Sequence, residues 1–504
     1  MLVAADPATL IAVVAMLLLA WNASRQERNA LIALGGLLLM IVAFAVRFAG
    51  NDSLFARVAG FFTDAGVAFI LASLVMRLRR AHAFPFFALG ILALGTATLL
   101  FTGGHVIRAG LEAARPEETA PPSLLVELGP DDHIEEIAPV LRLKNIRYER
   151  AFPSVTLSSD EDLAQTYLLY GPEPALESIV DVLRADRDNV DHLEWNLTVT
   201  LPPTVLSESP EAERLPLLAD DPLAASQWAL QATHIHEAHR LLAQLRPRKK
   251  AVVAILDTGV DAAHEDLLGI FHPSPGQTDT QGHGTHCAGI AGAATNNSLG
   301  IASLNWEGRY IEIASFQALP GGGFGTYETI AQAIIDATQS GADILSLSLG
   351  NHVDSPPRVV QQAVEFAQRQ GALIIASAGN AGQDGARHMP SNLPGVIAVA
   401  AVDRDLHKAS FSNTNTNLSR PIAAPGVDIL SLKPGGSYVN LSGTSMSTPL
   451  VAGLAGVLLA LNPDLSADQI YQILVETGTQ ARDVTLTGRV INAEAAIKAV
   501  AEGI

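Results

Sequence analysis

Cysteine is nearly missing from this chain of 504 residues: Cys287 is the only one. A single thiol cannot close an intramolecular disulfide, and it rules out a four-cysteine zinc site and a CxxC redox pair. Aromatic residues make up only 5% of the sequence although its mean hydropathy is positive, so aliphatic side chains must be concentrated somewhere. Basic residues are scarce as well, 32 Lys and Arg against 51 Asp and Glu. The first 115 residues reverse that balance with 9 against 5, which leaves 23 against 46 in the remainder. A surface that negative repels phosphate backbones, and no nucleic-acid partner is expected. At roughly 150 residues per domain the length allows about three folding units.

The aliphatic excess lies at the start. Residues 9–21, 30–46, 58–76 and 83–102 are four apolar runs. With its flanks, each approaches the roughly 20 residues a helix needs to cross hydrocarbon. Four spanning helices are therefore expected, with the lipid bilayer as a partner. Arg25, Arg28, Arg77, Arg79 and Arg80 sit on the first and third links, and only Arg47 and Arg57 on the second. That asymmetry puts the first and third links inside and both termini outside. Asp64 falls in the third run; it is read as reaching water or Arg57 near the interface rather than as a functional intramembrane carboxylate. The expected location is a multi-pass protein of the cell membrane, with the remaining chain on the extracytoplasmic side.

Residues 116–123 are charged and proline-bearing, as a linker is. Then come a short apolar run at 124–128, a helix running to Leu143, strands at 146–152 and 165–170, a helical spacing at 175–183 and alternation through 190–201. This order predicts a split βαβ unit of ferredoxin-like type. Residues 202–220, rich in Pro, Glu and Ser, have no periodicity and form a second linker and expected processing site. From Asp221 onward strands alternate with helices among small residues, which suggests α/β architecture with a mostly parallel sheet.

Chemistry is concentrated in four motifs of that last stretch. The run at 252–256 delivers Asp257 at a strand's carboxyl end, where open α/β sheets place ligands. Gly282-His283-Gly284-Thr285-His286-Cys287-Ala288-Gly289 follows, its glycines leaving room for a substrate backbone. Gly443-Thr444-Ser445-Met446-Ser447-Thr448-Pro449 precedes an apolar helical run, so Ser445 stands at a helix N-terminus whose dipole favours a developing oxyanion. A serine hydroxyl needs an adjacent base; His283 is expected to serve, with Asp257 fixing its tautomer. The fourth motif is Ala376-Ser377-Ala378-Gly379-Asn380. A lone Asp-Thr-Gly also suggests an aspartic protease, but only one copy is present.

From Asp221 to the end the sequence resembles the subtilisin-like serine proteases, on their thermitase and proteinase K side, and the order Asp, His, Ser is that of subtilisin. The resemblance implies a fold and an activity. The fold is α/β: a subtilisin-like three-layer domain with a mostly parallel sheet, plus an α+β ferredoxin-like propeptide-type domain and an N-terminal bundle of four transmembrane helices. The divisions are 1–115 membrane domain, 116–123 linker, 124–201 propeptide-like domain, 202–220 linker and 221–504 peptidase domain. The activity is serine endopeptidase action on polypeptide substrate through an acyl-enzyme, with no cofactor for catalysis and with the chain's own propeptide-like domain as a partner. Asn380 would donate to the oxyanion beside the Ser445 amide.

Substrate would add as a strand against Gly323, Phe324 and Gly325 and against Leu347, Ser348, Leu349 and Gly350. Ala376, Ser377, Ala378 and Gly379 would wall an open pocket tolerant of large apolar side chains. A structural calcium would be shared by Asp221, Asp266 and Asn297 with carbonyls of Thr295, Leu299 and Ile301. The other class of function open to such a chain is an inactive protease-like module that binds extended peptides.

Three further features have plainer readings. Cys287 is read as a small buried apolar residue on the His283 face of its helix. The extra hydroxyl of Ser447, where the family more often has alanine, is expected to bond an earlier carbonyl of its helix. His234, His236 and His239 lack the HExxH pattern and are expected to form a solvated helix face rather than a zinc site.

Overall fold

The computed structural model describes residues 121–201, 205–206, 217–276, 278–320 and 322–503. The four apolar runs of residues 1–115, and Asp64 with them, lie outside the described residues. Among the described residues one helix, Thr444–Leu461, is long and apolar enough to cross a membrane, and it is wholly buried in protein.

The first described unit has strands β1 (Ser123–Leu128), β2 (Arg147–Arg150), β3 (Thr166–Tyr170) and β4 (Val190–Trp195) in the spatial order β2-β3-β1-β4, all antiparallel. Helix α1 (Ile134–Leu143) follows β1 and helix α2 (Glu173–Ala185) follows β3, which is the ferredoxin-like order. Every residue of β1 is buried. Successive side chains of a strand point to opposite faces. Leu124, Val126 and Leu128 accordingly pack with Leu141, Leu176 and Ile179 of the unit's own helices, whereas Leu125 joins a cluster that includes Ile330, Ile334 and Val360 of the larger domain.

The run expected as one strand over 190–201 breaks in two. Asn196 N donates to Ser123 O at 3.0 Å and Leu197 N to Trp195 O at 3.0 Å, and the turn sends β5 (Thr198–Thr200) out of this sheet. A two-residue strand, β6 (Val205–Leu206), follows.

The larger domain is built on six parallel strands: β7 (Ala251–Asp257), β8 (Ile311–Gln317), β10 (Ile344–Leu347), β11 (Leu373–Ser377), β12 (Ile397–Val402) and β13 (Pro421–Pro425). Their order across the sheet is β13-β12-β11-β10-β7-β8. The strands read as near-continuous apolar runs because both faces are covered. Val253 and Ile255 of β7 face helices α4 (His283–Gly292) and α7 (Thr444–Leu461), whereas Ala254 and Leu256 face α5 (Tyr327–Gln339) and α6 (Arg358–Arg369). Helices α4 and α7 approach closely at Gly453, where any Cβ would collide with the Ala291 carbonyl. That approach brings their first turns together, and those turns carry His283 and Ser445. Beside the sheet lie the short β9 (Phe324–Thr326) and the hairpin strands β14 (Ile429–Lys433) and β15 (Ser437–Ser442).

The ferredoxin-like unit caps two helices of the larger domain. Helix α6 begins after Pro357, which offers no side-chain cap, and Glu194 accepts from Arg358 N at 3.0 Å and Val359 N at 2.9 Å. Asn196 accepts from Glu328 N at 3.0 Å in the first turn of α5. A carboxylate at a helix N-terminus satisfies orphan donors and complements the dipole. Glu127, 4% exposed, receives Arg358 Nε at 2.6 Å and Nη2 at 2.7 Å, with Gln362 Nε2 at 3.0 Å. These contacts hold β5 against the groove described below.

Candidate active site

Asp257 is the last residue of β7, and His283 opens α4. Both carboxylate oxygens lie in reach of His283 Nδ1, at 2.8 and 2.9 Å, in a contact that is 0% exposed on the aspartate and 2% on the histidine. Thr258 N donates to Asp257 Oδ1 at 2.7 Å. Gly284 must be glycine: a Cβ there would collide with the Gly259 carbonyl and press on Asp257. Burial alone would lower the His283 pKa, but the Asp257 carboxylate outweighs it and holds the imidazole well above its ordinary value.

The helix start is fixed by Asp279, a residue that motif reading missed. Its Oδ1 accepts from Gln281 N at 3.0 Å, Gly282 N at 2.8 Å and Thr258 Oγ1 at 3.0 Å, and its Oδ2 accepts from Thr285 N at 3.0 Å and Thr285 Oγ1 at 2.7 Å. One buried carboxylate thus ties the end of β7 to the first turn of α4. The signal in sequence was an acidic residue just ahead of a helix start, the position that favours capping.

Ser445 lies in the first turn of α7. Its hydroxyl donates to Ser348 O at 3.1 Å, and the Ser348 hydroxyl donates back to Ser445 O at 2.8 Å. Cys287 Sγ is 3.5 Å from Ser445 O and 3.9 Å from His283 Nδ1, so one buried sulfur touches both residues. Burial pushes this thiol above its ordinary pKa, which keeps it neutral and unreactive. Asn380 Oδ1 accepts from Thr444 N at 2.9 Å and Thr444 Oγ1 at 2.8 Å. Its amide oxygen is thereby occupied, and Nδ2 faces Gly443, 3.3 Å from where a Cβ would stand.

A cavity of about 280 Å³ opens beside Ser445, with Ser348, Leu349, Gly350, Ser377, Gly379 and Asn380 in its wall. Leu347 and Ala376 instead face the core beneath α5 and α6, and Ala378 is fully buried. Gly323, Phe324 and Gly325 are not in its wall but lie beside it along β5: Thr198, Val199 and Thr200 pair antiparallel with Thr326, Gly325 and Phe324, and Thr200 lines the cavity. His388 and Asn413 also line it and were not foreseen. Burial lowers His388 to about 4, so the pocket is lined by a neutral imidazole and an amide as well as by small residues.

The subtilase family profile matches residues 248–490, the stretch that holds all four motifs. Subtilisin DY of Bacillus licheniformis is 37% identical over 269 residues, covering 52% of this chain and 95% of its own length. The chain belongs to the subtilase family. Thermitase of Thermoactinomyces vulgaris is 43% identical to this subtilase over 216 residues, 41% of the chain and 74% of that protein. M-protease of Shouchella clausii strain KSM-K16 is 35% identical over 377 residues, covering 69% of the chain and 95% of the relative. A solved protease from Pseudoalteromonas arctica PAMC 21717 matches the fold with a TM-score of 0.50 at 27% identity, over 56% of this chain and 99% of that one. The subtilase is thus a serine-type endopeptidase with an α/β fold on a parallel sheet and a triad of the Asp-His-Ser type.

Away from this site the subtilase gathers a second set of carboxylates. Asp221 Oδ2 accepts from Asn296 N at 2.8 Å and its Oδ1 from Asn297 N at 3.2 Å; Asp266 Oδ2 accepts from Ile301 N at 3.0 Å and Tyr438 Oη at 3.1 Å. Asn297 Nδ2 reaches Asp266 Oδ1 at 3.4 Å, so the three residues do converge. Of the carbonyls named with them, Thr295 O already accepts from Glu307 N at 2.8 Å. Burial raises Asp221 to about 6 and also raises Asp266.

Two of the plainer readings are corrected. Helix α3 (Ile235–Leu242) is only in part the solvated face expected of its histidines: the His234 side chain just before it is 41% exposed and His236 is half-buried, but His239 turns into the core. His239 is 1% exposed, bonds Ser303 O through Nε2 at 2.7 Å and packs 5.4 Å from the Trp306 ring. Ser447 Oγ donates to Pro425 O at 3.1 Å, across to β13, and not to a carbonyl of its own helix.

Proposed function

We propose that this subtilase is a membrane-anchored endopeptidase that cuts peptide bonds with Asp257, His283, Ser445 and Asn380. The carrying observation is the buried Asp257–His283 pair at the head of the helix that packs on the Ser445 helix. For attack, the Ser445 hydroxyl turns from the Ser348 carbonyl to His283 Nε2, which takes its proton as the Oγ–carbon bond forms. Asp257 holds Nδ1 protonated and stabilises the imidazolium. The oxyanion is met by Asn380 Nδ2 and the Ser445 N–H at the positive end of α7. His283 then returns the proton to the leaving nitrogen as the carbon–nitrogen bond breaks, and water repeats the sequence to free the enzyme.

Substrate adds as a strand along Gly323–Gly325 and Ser348–Gly350, with its side chain in the cavity beside Ser445. Two buried carboxylates without a cationic side chain in contact suit a hard divalent ion, and Asp221, Asp266 and Asn297 would hold a structural calcium with the carbonyls of Leu299 and Ile301. Residues 124–201 act as a propeptide. This is supported by their grip on α5 and α6, and by the M-protease match, which at 69% of the chain is longer than the 284 residues from Asp221 to the end. Four spans in residues 1–115 anchor the chain with its catalytic domain on the extracytoplasmic side, and self-processing within 202–220 separates enzyme from anchor. The reading is tested by a fluorophosphonate probe, which should attach to the matured protein and fail to attach to Ser445→Ala; a matured wild-type protein that stays unlabelled refutes it.

A further inference from the structure

The backbone N–H groups of residues 281 to 285, on either side of His283, all lead to Asp279. Its carboxylate takes three of them directly, from Gln281, Gly282 and Thr285. The other two reach it through one residue each. His283 N donates to Gln281 Oε1 at 2.8 Å, and Gln281 is itself held at its N–H by Asp279. Gly284 N donates to Thr258 Oγ1 at 3.0 Å, and the Thr258 hydroxyl donates on to Asp279.

A backbone N–H only donates, so it fixes the direction of each hydroxyl in this set. Thr258 Oγ1 receives Gly284 N, and Thr285 Oγ1 receives Asp261 N at 2.9 Å. Both hydroxyl hydrogens are therefore free for Asp279, at 3.0 and 2.7 Å. Five donors converge on a side chain that is 8% exposed, and only a group that accepts at both oxygens satisfies them. Thr258 has a second task, because its N–H holds Asp257 Oδ1 at 2.7 Å. One residue thus grips the carboxylate of the triad with its backbone and the residue after His283 with its hydroxyl. There is no slack between these segments: a Cβ at Gly259 would collide with the Thr278 carbonyl, and one at Gly284 with the Gly259 carbonyl.

We propose that Asp279 is a positioning residue of the triad: by way of Thr258 and Gln281 it sets where the His283 ring meets Asp257. This rests on the protease reading above. An amide cannot take its place. In Asp279→Asn the new NH2 group meets either Thr285 N or the pair Gln281 N and Gly282 N, donor against donor, and the buried donors must shift to find partners. The His283 ring is faced by Asp257 from β7 and by Cys287 from its own helix, with the neutral His286 in the same helix. A displaced helix head is therefore read in the Asp257 contact.

The test compares Asp279→Asn, Thr258→Val and Thr258→Ser with wild type, each as the full chain in detergent opened in the 202–220 linker by the same added metalloprotease. Turnover of a peptide substrate is measured against pH and expressed per Ser445 titrated with a fluorophosphonate, so misfolded molecules do not count. Asp279→Asn and Thr258→Val should each lower kcat by about 10- to 100-fold with KM nearly unchanged, the scale of a small misplacement of reacting groups. Their acid limb in kcat/KM should also move down, because a looser Asp257 contact stabilises the imidazolium less. Thr258→Ser keeps the hydroxyl and should restore both readings, and the Asp279→Asn/Thr258→Val pair should cost no more than the worse single change. Wild-type kcat in Asp279→Asn, or a loss that leaves the acid limb in place, overturns the inference while the protease reading stands. If Asp279→Asn does not fold, Thr258→Val decides on the same two readings, since it leaves both carboxylate oxygens in place. If the opened wild type neither takes up the probe nor turns over peptide, the protease reading fails and the inference with it.

Discussion

Two buried carboxylate sites in this subtilase differ in what meets the charge. Asp257 faces an imidazole whose charged form it stabilises; Asp221 and Asp266 meet amides and a phenol. The first site is complete in protein atoms and holds a histidine well above its ordinary pKa. In the second, burial pushes the acids up instead. The same residue type serves proton transfer in one place and invites a cation in the other, and the partner decides which.

Several substitutions would break or sharpen that contrast. Ser445→Ala should lower kcat by about 10⁶, and adding His283→Ala should cost little more because the two act as a unit; the magnitude was set by subtilisin and is carried over by kinship. Steady-state kinetics on the double variant check it. Asp257→Asn should lower kcat by about 10⁴, since the amide leaves the imidazole in the wrong tautomer. Asn380→Ala should lower kcat by about 10² to 10³ with KM nearly unchanged, again a subtilisin-derived range, because the donor serves the oxyanion and not the bound substrate.

The smallest effect belongs to the second site. Asp221 has a folded value of about 6 against an ordinary 3.8. The stability linked to its neutral form is complete below about pH 4 and is lost as pH rises through about 6. Metal-free protein should therefore weaken over that window, and calcium should restore more at pH 7 than at pH 4.5. Saturation at about 100 times Kd is worth about 2.7 kcal/mol, a few degrees in Tm. Thermal melts with EGTA and with calcium measure it, and an equal gain at both pH values contradicts it.

Much of the site was readable because chemistry constrains residue type. An Asp at a strand end, a His among glycines and a Ser before an apolar helix each carry a local signature. The supporting groups carry none. Ser348 contributes a carbonyl, which any residue has, and His388 and Asn413 reach the pocket wall only through the fold. The 190–201 run looked like one strand because alternation continues through Val199, and nothing in its period reveals that β5 belongs to another sheet. His239 was misread although Ile235, Ala238, His239 and Leu242 have the spacing of a buried helical stripe. A histidine was counted as polar where it serves as a core ring with one satisfied nitrogen.

The central claim is that Asp257 tunes His283 as the base for Ser445. The most direct measurement is the pH dependence of kcat/KM for the matured enzyme. A neutral imidazole is required, so activity should rise along an acid limb whose midpoint lies above 6.5, and Asp257→Asn should move that limb down. A midpoint at or below 6.5 that Asp257→Asn leaves in place would contradict the account.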